Sequence, residues 1–401
     1  MISDKMLQLT QNNSVIRAMF EEGNRLAAEF GRENVFDFSL GNPNFPPPDA
    51  VREAIIDVLN TVPPTEIHGY MSNAGYPEVR AAVADSLNRR FGTEYDARGI
   101  VMTVGAAGGL NVVLKTLINP GDEVIALAPY FVEYGNYARN WDGALVVVPA
   151  NPPTFQPNAD ALTAAITERT KAVIINSPNN PTGVVYTRET LQNLADALTR
   201  KSREYGHPIY IIADEPYREL SYGTDVPWIP SVYRDTLVCY SWSKSLSLPG
   251  ERIGYIAVAP DAADYELLTD ALGIATRVIG FVNAPSLMQL AVARVLDVQP
   301  NLAGYAENRK LLYDGLTALG FDCVYPDGAF YLWVKAPNGD DKAFAAAAKQ
   351  YNILIVPGSS FAGAGYVRIA YCVAKSTIEG SMAGFAKLAG KYGLSKLTSD
   401  N

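Results

Sequence analysis

From about residue 98 onward, short apolar runs alternate with amphipathic stretches, and no other feature of the chain restricts its fold so tightly. The runs lie at 100–103, 123–126, 144–148, 172–176, 209–213, 236–240 and 253–258. Each is rich in Val or Ile and bounded by Gly, Pro, Asn or Asp, as a strand buried on both faces should be. Helical patterns fill most of the intervals, as at 110–117 and 187–205. Strand and helix in alternation predict an α/β architecture, a mostly parallel seven-stranded sheet flanked by helices. After about residue 300 the pattern becomes a helix (300–319), a hairpin over 321–336 turning at Pro326, Asp327 and Gly328, strands at 353–356 and 366–371, and a closing helix (377–392). These make a smaller α+β unit. The Pro-rich run 42–48 reads as a loop into the larger unit. The expected division is therefore a large domain over 49–298 and a small domain from 1–48 and 299–401.

Composition prunes the possible functions. The 401 residues carry 33 basic and 42 acidic side chains, for a net charge of −9, which disfavours a nucleic-acid binder. Cys239, Cys323 and Cys372 form no CxxC pair and have apolar neighbours, so buried free thiols in a reducing compartment are expected. No metal site is expected, because metal ligands would cluster more tightly with His or carboxylates. The first 24 residues lack an apolar targeting core, and no run is long enough to span a bilayer, so a cytoplasmic protein without a membrane partner is expected. With only His68 and His207, and with no GxxxxGK[ST], GxGxxG or GxSxG, catalysis should rest on something other than histidine. A cofactor is the natural candidate.

Open parallel sheets bind ligands beyond the carboxyl ends of their strands. Several unusual segments begin there. SWSK (241–244) follows the run 236–240 and opens SWSKSLSLPGERIGY, which includes Arg252. DEPY (214–217) ends an apolar strand, where a carboxylate is costly unless paired, although Asp214 could instead cap a following helix. Glu215 points to the other side of an extended backbone and reads as structural. NSPNNPTG (176–183) is, taken alone, a turn former. Gly105, Ala106 and Ala107 open a helix after a strand, where small residues admit a phosphate or simply a tight turn. Phe131, in PYFVEY (129–134), could equally be a core aromatic. Farther out stand Arg368 in a β-run, Gly41 in SLGNP and Tyr70 in HGYMSNAGYPEVR. An arginine in a β-run is unfavourable to bury without an anion.

In this order the segments resemble the aminotransferases of class I/II, fold type I, the aspartate aminotransferase superfamily, from about Phe36 to Tyr371. Those enzymes depend on pyridoxal 5'-phosphate (PLP), which needs a lysine for the imine and an acid to keep the pyridine nitrogen protonated. The resemblance implies that Lys244 is the Schiff-base lysine, that Asp214 faces the ring nitrogen, and that Tyr217 and Asn180 meet the ring's phenolic oxygen. It assigns the phosphate to Ser241, Ser243, Arg252 and the backbone of Gly105, Ala106 and Ala107, with Phe131 on the ring. Arg368, Asn180 and Gly41 are assigned to the substrate's α-carboxylate. Tyr70 matches the tyrosine that reaches the phosphate of a neighbouring subunit, so a homodimer with shared active sites is expected.

The activity so implied is ping-pong transfer of an amino group from an L-amino acid to a 2-oxo acid, with Lys244 moving the Cα proton. A β-eliminating C–S lyase would share nearly every residue, whereas a PLP-sensing regulator should carry a fused helix-turn-helix segment. The donor is less constrained. Where one aspartate aminotransferase subgroup has a lysine for the side-chain carboxylate, this chain has Ala107. Where another borrows an arginine from the neighbouring subunit, Ile279 stands, with Arg277 close by. Phe45, Tyr130 and Phe330 in the pocket segments suit an aromatic or aliphatic donor.

Overall fold

The structure, a computed structural model, describes residues 2–11 and 15–394. Strand β1 (Phe36–Asp37) precedes a large sheet built from β2 (Ile100–Thr103), β3 (Glu123–Leu127), β4 (Ala144–Val148), β5 (Thr170–Ile175), β6 (Tyr210–Asp214), β7 (Thr236–Ser241) and β8 (Gly254–Val258). The spatial order is β2-β8-β7-β6-β5-β3-β4. Strands β3 to β7 pair in parallel, while β8 runs antiparallel to both of its neighbours, β2 and β7. This is the mostly parallel seven-stranded sheet expected from the sequence. The reversal of β8 was not foreseeable, because an apolar run reads the same in either direction.

Burial accounts for the composition of these strands. Every residue of β2, β3, β6, β7 and β8 is buried, whereas β4 lies on the sheet edge and is half open to solvent. The flanking helices follow ordinary rules. In Arg188–Tyr205, the Thr187 hydroxyl accepts from Thr190 N at 3.1 Å, and Gly206 closes the helix in the left-handed region at φ 73°. Leu191, Leu194, Ala195 and Leu198 form its buried face.

The smaller unit contains β9 (Cys323–Val324), β10 (Tyr331–Lys335), β11 (Ile353–Leu354), β12 (Val356–Pro357) and β13 (Tyr366–Ala370). Four of these form an antiparallel sheet in the order β12-β13-β10-β9, and the expected hairpin is the β9–β10 pair. The single strand expected at 353–356 is instead two. Ile353–Leu354 pairs in parallel with β1, and after Ile355 the chain crosses to β13. Helices Leu302–Ala318 and Lys375–Lys391 pack on each other beside a core that includes Phe38, Phe330, Phe344 and Phe385. Phe38 N donates to Leu354 O at 2.9 Å and Ala370 N to Phe38 O at 3.0 Å, which carries residues 39–41 toward the ends of the large sheet. At the start of the chain, Lys5 pairs with Asp142, just before β4, at 2.5 Å.

All three cysteines are free thiols. Cys239 and Cys372 are buried as expected, but Cys323 is only half-buried, because β9 is a two-residue strand at a sheet edge. Among the described residues no helix is long and apolar enough to cross a membrane.

Glu215 is completely buried, and Arg218 Nη2 donates to its Oε1 at 2.6 Å. The guanidinium also donates to Val226 O and Pro227 O, both at 3.0 Å, and lies against the Phe91 and Trp228 rings. Replacing Glu215 alone leaves a buried, uncompensated cation. Glu215→Leu should therefore cost about 3–5 kcal/mol, read as a lower urea midpoint with the slope unchanged.

Candidate active site

Because β8 is reversed, its first residue lies at the same end of the sheet as the last residues of β2 and β7. Gly254 pairs with both Thr103 and Ser241. Side chains following β2, β3, β5, β6 and β7 and those preceding β8 thus converge on one cleft of about 260 Å³. Twelve of the residues singled out in the sequence line it: Gly41, Ala106, Ala107, Phe131, Asn180, Asp214, Tyr217, Ser241, Ser243, Lys244, Arg252 and Arg368. Gly105 and Tyr70 do not, and neither do Phe45, Tyr130 and Phe330, the aromatics expected in the pocket. Gly105 sits directly behind the wall in the left-handed region at φ +77°, where an added Cβ would fall 2.8 Å from Arg252 Nη2. Tyr70 is 92% exposed and does not line the cleft of its own chain.

Leu110, Asn176, Pro216, Pro249 and Tyr331 complete the wall and were not foreseen as site residues. Asn176 opens the turn-forming segment 176–183. Its Nδ2 donates to Asp214 O at 2.8 Å and its Oδ1 accepts from Asn180 N at 2.7 Å, tying together the loops after β5 and β6. Tyr331 lies in β10, far away in sequence, and nothing in the local pattern marked it.

The charges in the cleft have few partners. Asp214 is buried and accepts only from the Tyr134 hydroxyl, at 2.5 Å, with no cation paired to it among the described residues. Desolvation raises its pKa to about 7, against the Tyr134 hydrogen bond that lowers it; the Glu215 charge raises it further. Lys244 is lowered to about 8, chiefly by desolvation, and its Nζ donates to Gly41 O at 2.7 Å. Arg368 is buried, donating to Asn180 Oδ1 at 3.0 Å and Ser39 O at 2.6 Å, while its Nε has no partner. No carboxylate pairs with it among the described residues. Among the described residues Arg252 is bound only by carbonyls, Pro249 O at 2.8 Å and Val104 O at 3.3 Å.

Local structure fixes the remaining donors. Ser241 caps the short turn Trp242–Ser245, its hydroxyl accepting from Ser243 N at 3.1 Å and lying 2.6 Å from the Ser243 hydroxyl. The helix Gly105–Leu117 begins at the same wall, where first-turn N–H groups lack intrahelical partners. Cations, hydroxyls and free N–H groups therefore gather at one side of the cleft, and an unpaired acid lies within it. This suits a ligand with an anionic end and a protonated ring nitrogen.

Residues 33–382 match the family described as aminotransferase class I and II. The chain is 32% identical over 376 residues to the aspartate/prephenate aminotransferase of Thermus thermophilus, covering 92% of this chain and 95% of that protein. An amino transferase structure from Eubacterium rectale is similar with a TM-score of 0.95 at 46% identity, covering 98% of this chain and 99% of the other. The Thermus thermophilus aspartate aminotransferase with maleate gives a TM-score of 0.86 at 28% identity, covering 97% and 99%. The chain belongs to the class I and II aminotransferases. It is a PLP-dependent enzyme that transfers an amino group from an amino acid to a 2-oxo acid, and the C–S lyase reading is not favoured.

Asp214 gives a pH-dependent signature. An acid whose folded pKa is raised stabilises the fold below its unfolded pKa and loses that contribution as pH rises through the folded value. In the cofactor-free protein, Asp214→Asn should leave the melting temperature nearly unchanged near pH 4. It should raise it progressively up to about pH 7, with a plateau above.

Proposed function

We propose that Lys244 carries PLP and is also the base that moves the substrate's Cα proton. When bound, PLP supplies an electron sink for the charge left on that carbon. The cleft's chemistry fits the cofactor, and the observation that carries the assignment is the buried Asp214 carboxylate without a cation. A protonated pyridine nitrogen is the charge it lacks. Ser241, Ser243, Arg252 and the helix start at Gly105, Ala106 and Ala107 would hold the phosphate. Phe131 would cover the ring, and Tyr217 with Asn180 would meet its phenolic oxygen. Arg368 would take the substrate's α-carboxylate as a two-pronged pair, oriented by Asn180, with Gly41 beside it. With Lys244 lowered to about 8, a useful share of neutral amine is present near neutral pH to accept a proton at Nζ.

The donor this cleft suits best has an uncharged side chain, aromatic or aliphatic. Lys244, Arg252 and Arg368 are the cations this chain contributes to the wall, and each is already assigned; Ala107 offers none. Arg277 is exposed and lies off the wall. A dicarboxylate donor is the second reading, favoured by the naming of the Thermus thermophilus relative for aspartate and prephenate. It would need a cation from a second copy.

We read the enzyme as a cytoplasmic homodimer whose catalytic cleft lies between the unit 49–298 and the unit formed by 1–48 and 299–401. Support for the dimer comes from Tyr70, exposed and off its own cleft, and from Leu267, Ile274 and Val278, an exposed apolar stripe on helix Tyr265–Val278. Tyr70 of each copy would then reach its neighbour's phosphate site.

The test is the absorbance spectrum of the PLP-loaded enzyme before and after single amino acids are added without a 2-oxo acid. The donor should convert the visible band, phenylalanine or leucine more readily than aspartate, and Lys244→Ala should lose turnover by at least ~10³-fold. Full activity in Lys244→Ala would sink the assignment. Conversion by aspartate alone would transfer the case to the second reading.

A further inference from the structure

Tyr331 takes part in two of the contacts that hold the cleft together. Its hydroxyl lies 2.9 Å from the Tyr217 hydroxyl, and its ring centre lies 4.5 Å from the Arg368 guanidinium carbon. Both tyrosines are buried. Among the described residues each hydroxyl has only the other as a hydrogen-bond partner. The direction of that bond decides where the pair's remaining proton goes. If Tyr217 gave its proton to Tyr331, it would have none left to give elsewhere. The Tyr331 oxygen is packed against Gly41, so closely that a Cβ at residue 41 would collide with it, and a glycine Cα offers no acceptor there. With the Tyr217 proton directed into the cleft, Tyr217 O is the acceptor left for the Tyr331 proton.

We propose that Tyr331 is a positioning residue for the amino-transfer reaction. Its hydroxyl donates to Tyr217 and so frees and strengthens the Tyr217 proton as a donor into the cleft, while its ring backs Arg368. The inference rests on the reading of Tyr217 as the donor to the cofactor's phenolic oxygen. A hydroxyl that accepts one hydrogen bond gives a stronger one. Burial raises both phenols, Tyr217 well above the ordinary tyrosine range and Tyr331 to about 12, so both protons are present throughout the working pH range. The ring contributes separately. A buried guanidinium with an unpartnered Nε gains from an aromatic face at this distance, and Phe361 provides a second face at 4.7 Å.

The experiment titrates the visible absorbance of the PLP-loaded enzyme with pH, for the wild type, Tyr217→Phe, Tyr331→Phe and the double variant. PLP content and melting temperature serve as controls for folding. A donor to the phenolic oxygen favours its anionic form, so losing one raises the midpoint. Tyr217→Phe should raise it by about one unit or more and Tyr331→Phe by about half a unit. The double variant should match Tyr217→Phe alone, because Tyr331 acts through that hydroxyl. Tyr331→Phe keeps the ring and should leave KM for the amino donor within about threefold, whereas Tyr331→Leu should raise it about tenfold. A wild-type midpoint in Tyr331→Phe, or a Tyr331→Phe shift that persists without the Tyr217 hydroxyl, would overturn the inference and spare the reading of Tyr217. An unmoved midpoint in Tyr217→Phe would overturn that reading and the inference with it.

Discussion

Asp214 ends the central strand β6 with its carboxylate buried and only the Tyr134 hydroxyl donating to it. A lone buried carboxylate is among the less favourable things a fold can contain, and the surrounding structure is arranged to tolerate it. Asn176 secures its backbone carbonyl, and Tyr134, the first residue of the helix Tyr134–Asn140, satisfies one oxygen. The next residue, Glu215, lies just past the strand and off the cleft wall, and has an arginine of its own that also donates to Val226 O and Pro227 O. The contrast between these neighbours separates structure from function. Glu215 is paired with a cation, whereas among the described residues none pairs with Asp214.

Much of this was legible in the sequence because chemistry in an open α/β sheet sits where strands stop. Asp214, Lys244 and Asn180 follow apolar runs whose ends could be read directly. Arg252 was harder, since it precedes its strand; it reaches the cleft only because β8 is reversed, and strand direction leaves no mark on an apolar pattern. Tyr331 and Leu110 were illegible for a different reason. Leu110 lies inside a helix and Tyr331 opens a strand, where an aromatic or aliphatic residue reads as core, and only tertiary packing turns it toward the cleft. Ile353–Leu354 and Val356–Pro357 read as one strand because side-chain alternation continues across the point where the backbone changes partner.

The segment Ser39 to Gly41 links the small sheets to the cleft. Its three successive carbonyls accept from Arg368, Cys372 and Lys244, at 2.6, 3.5 and 2.7 Å. Laced into the small sheets through Phe38, this segment brings backbone acceptors to the cations of the cleft. The Arg368 and Lys244 cations are thus partnered by main-chain dipoles, which add no net charge to compete with an incoming anion.

The contact between Gly41 and Tyr331 has a consequence for how such a sequence can drift. The two residues, one in the N-terminal segment and one in β10, occupy a single shared volume. While residue 331 is a tyrosine, any side chain at 41 meets its hydroxyl; with that oxygen gone the ring carbon Cζ would still lie 2.9 Å from such a Cβ, so position 41 is released only when residue 331 loses the ring as well. The order of change is thus constrained, with 331 free to shrink first and 41 able to grow only afterwards. Two sites almost three hundred positions apart behave as one heritable character.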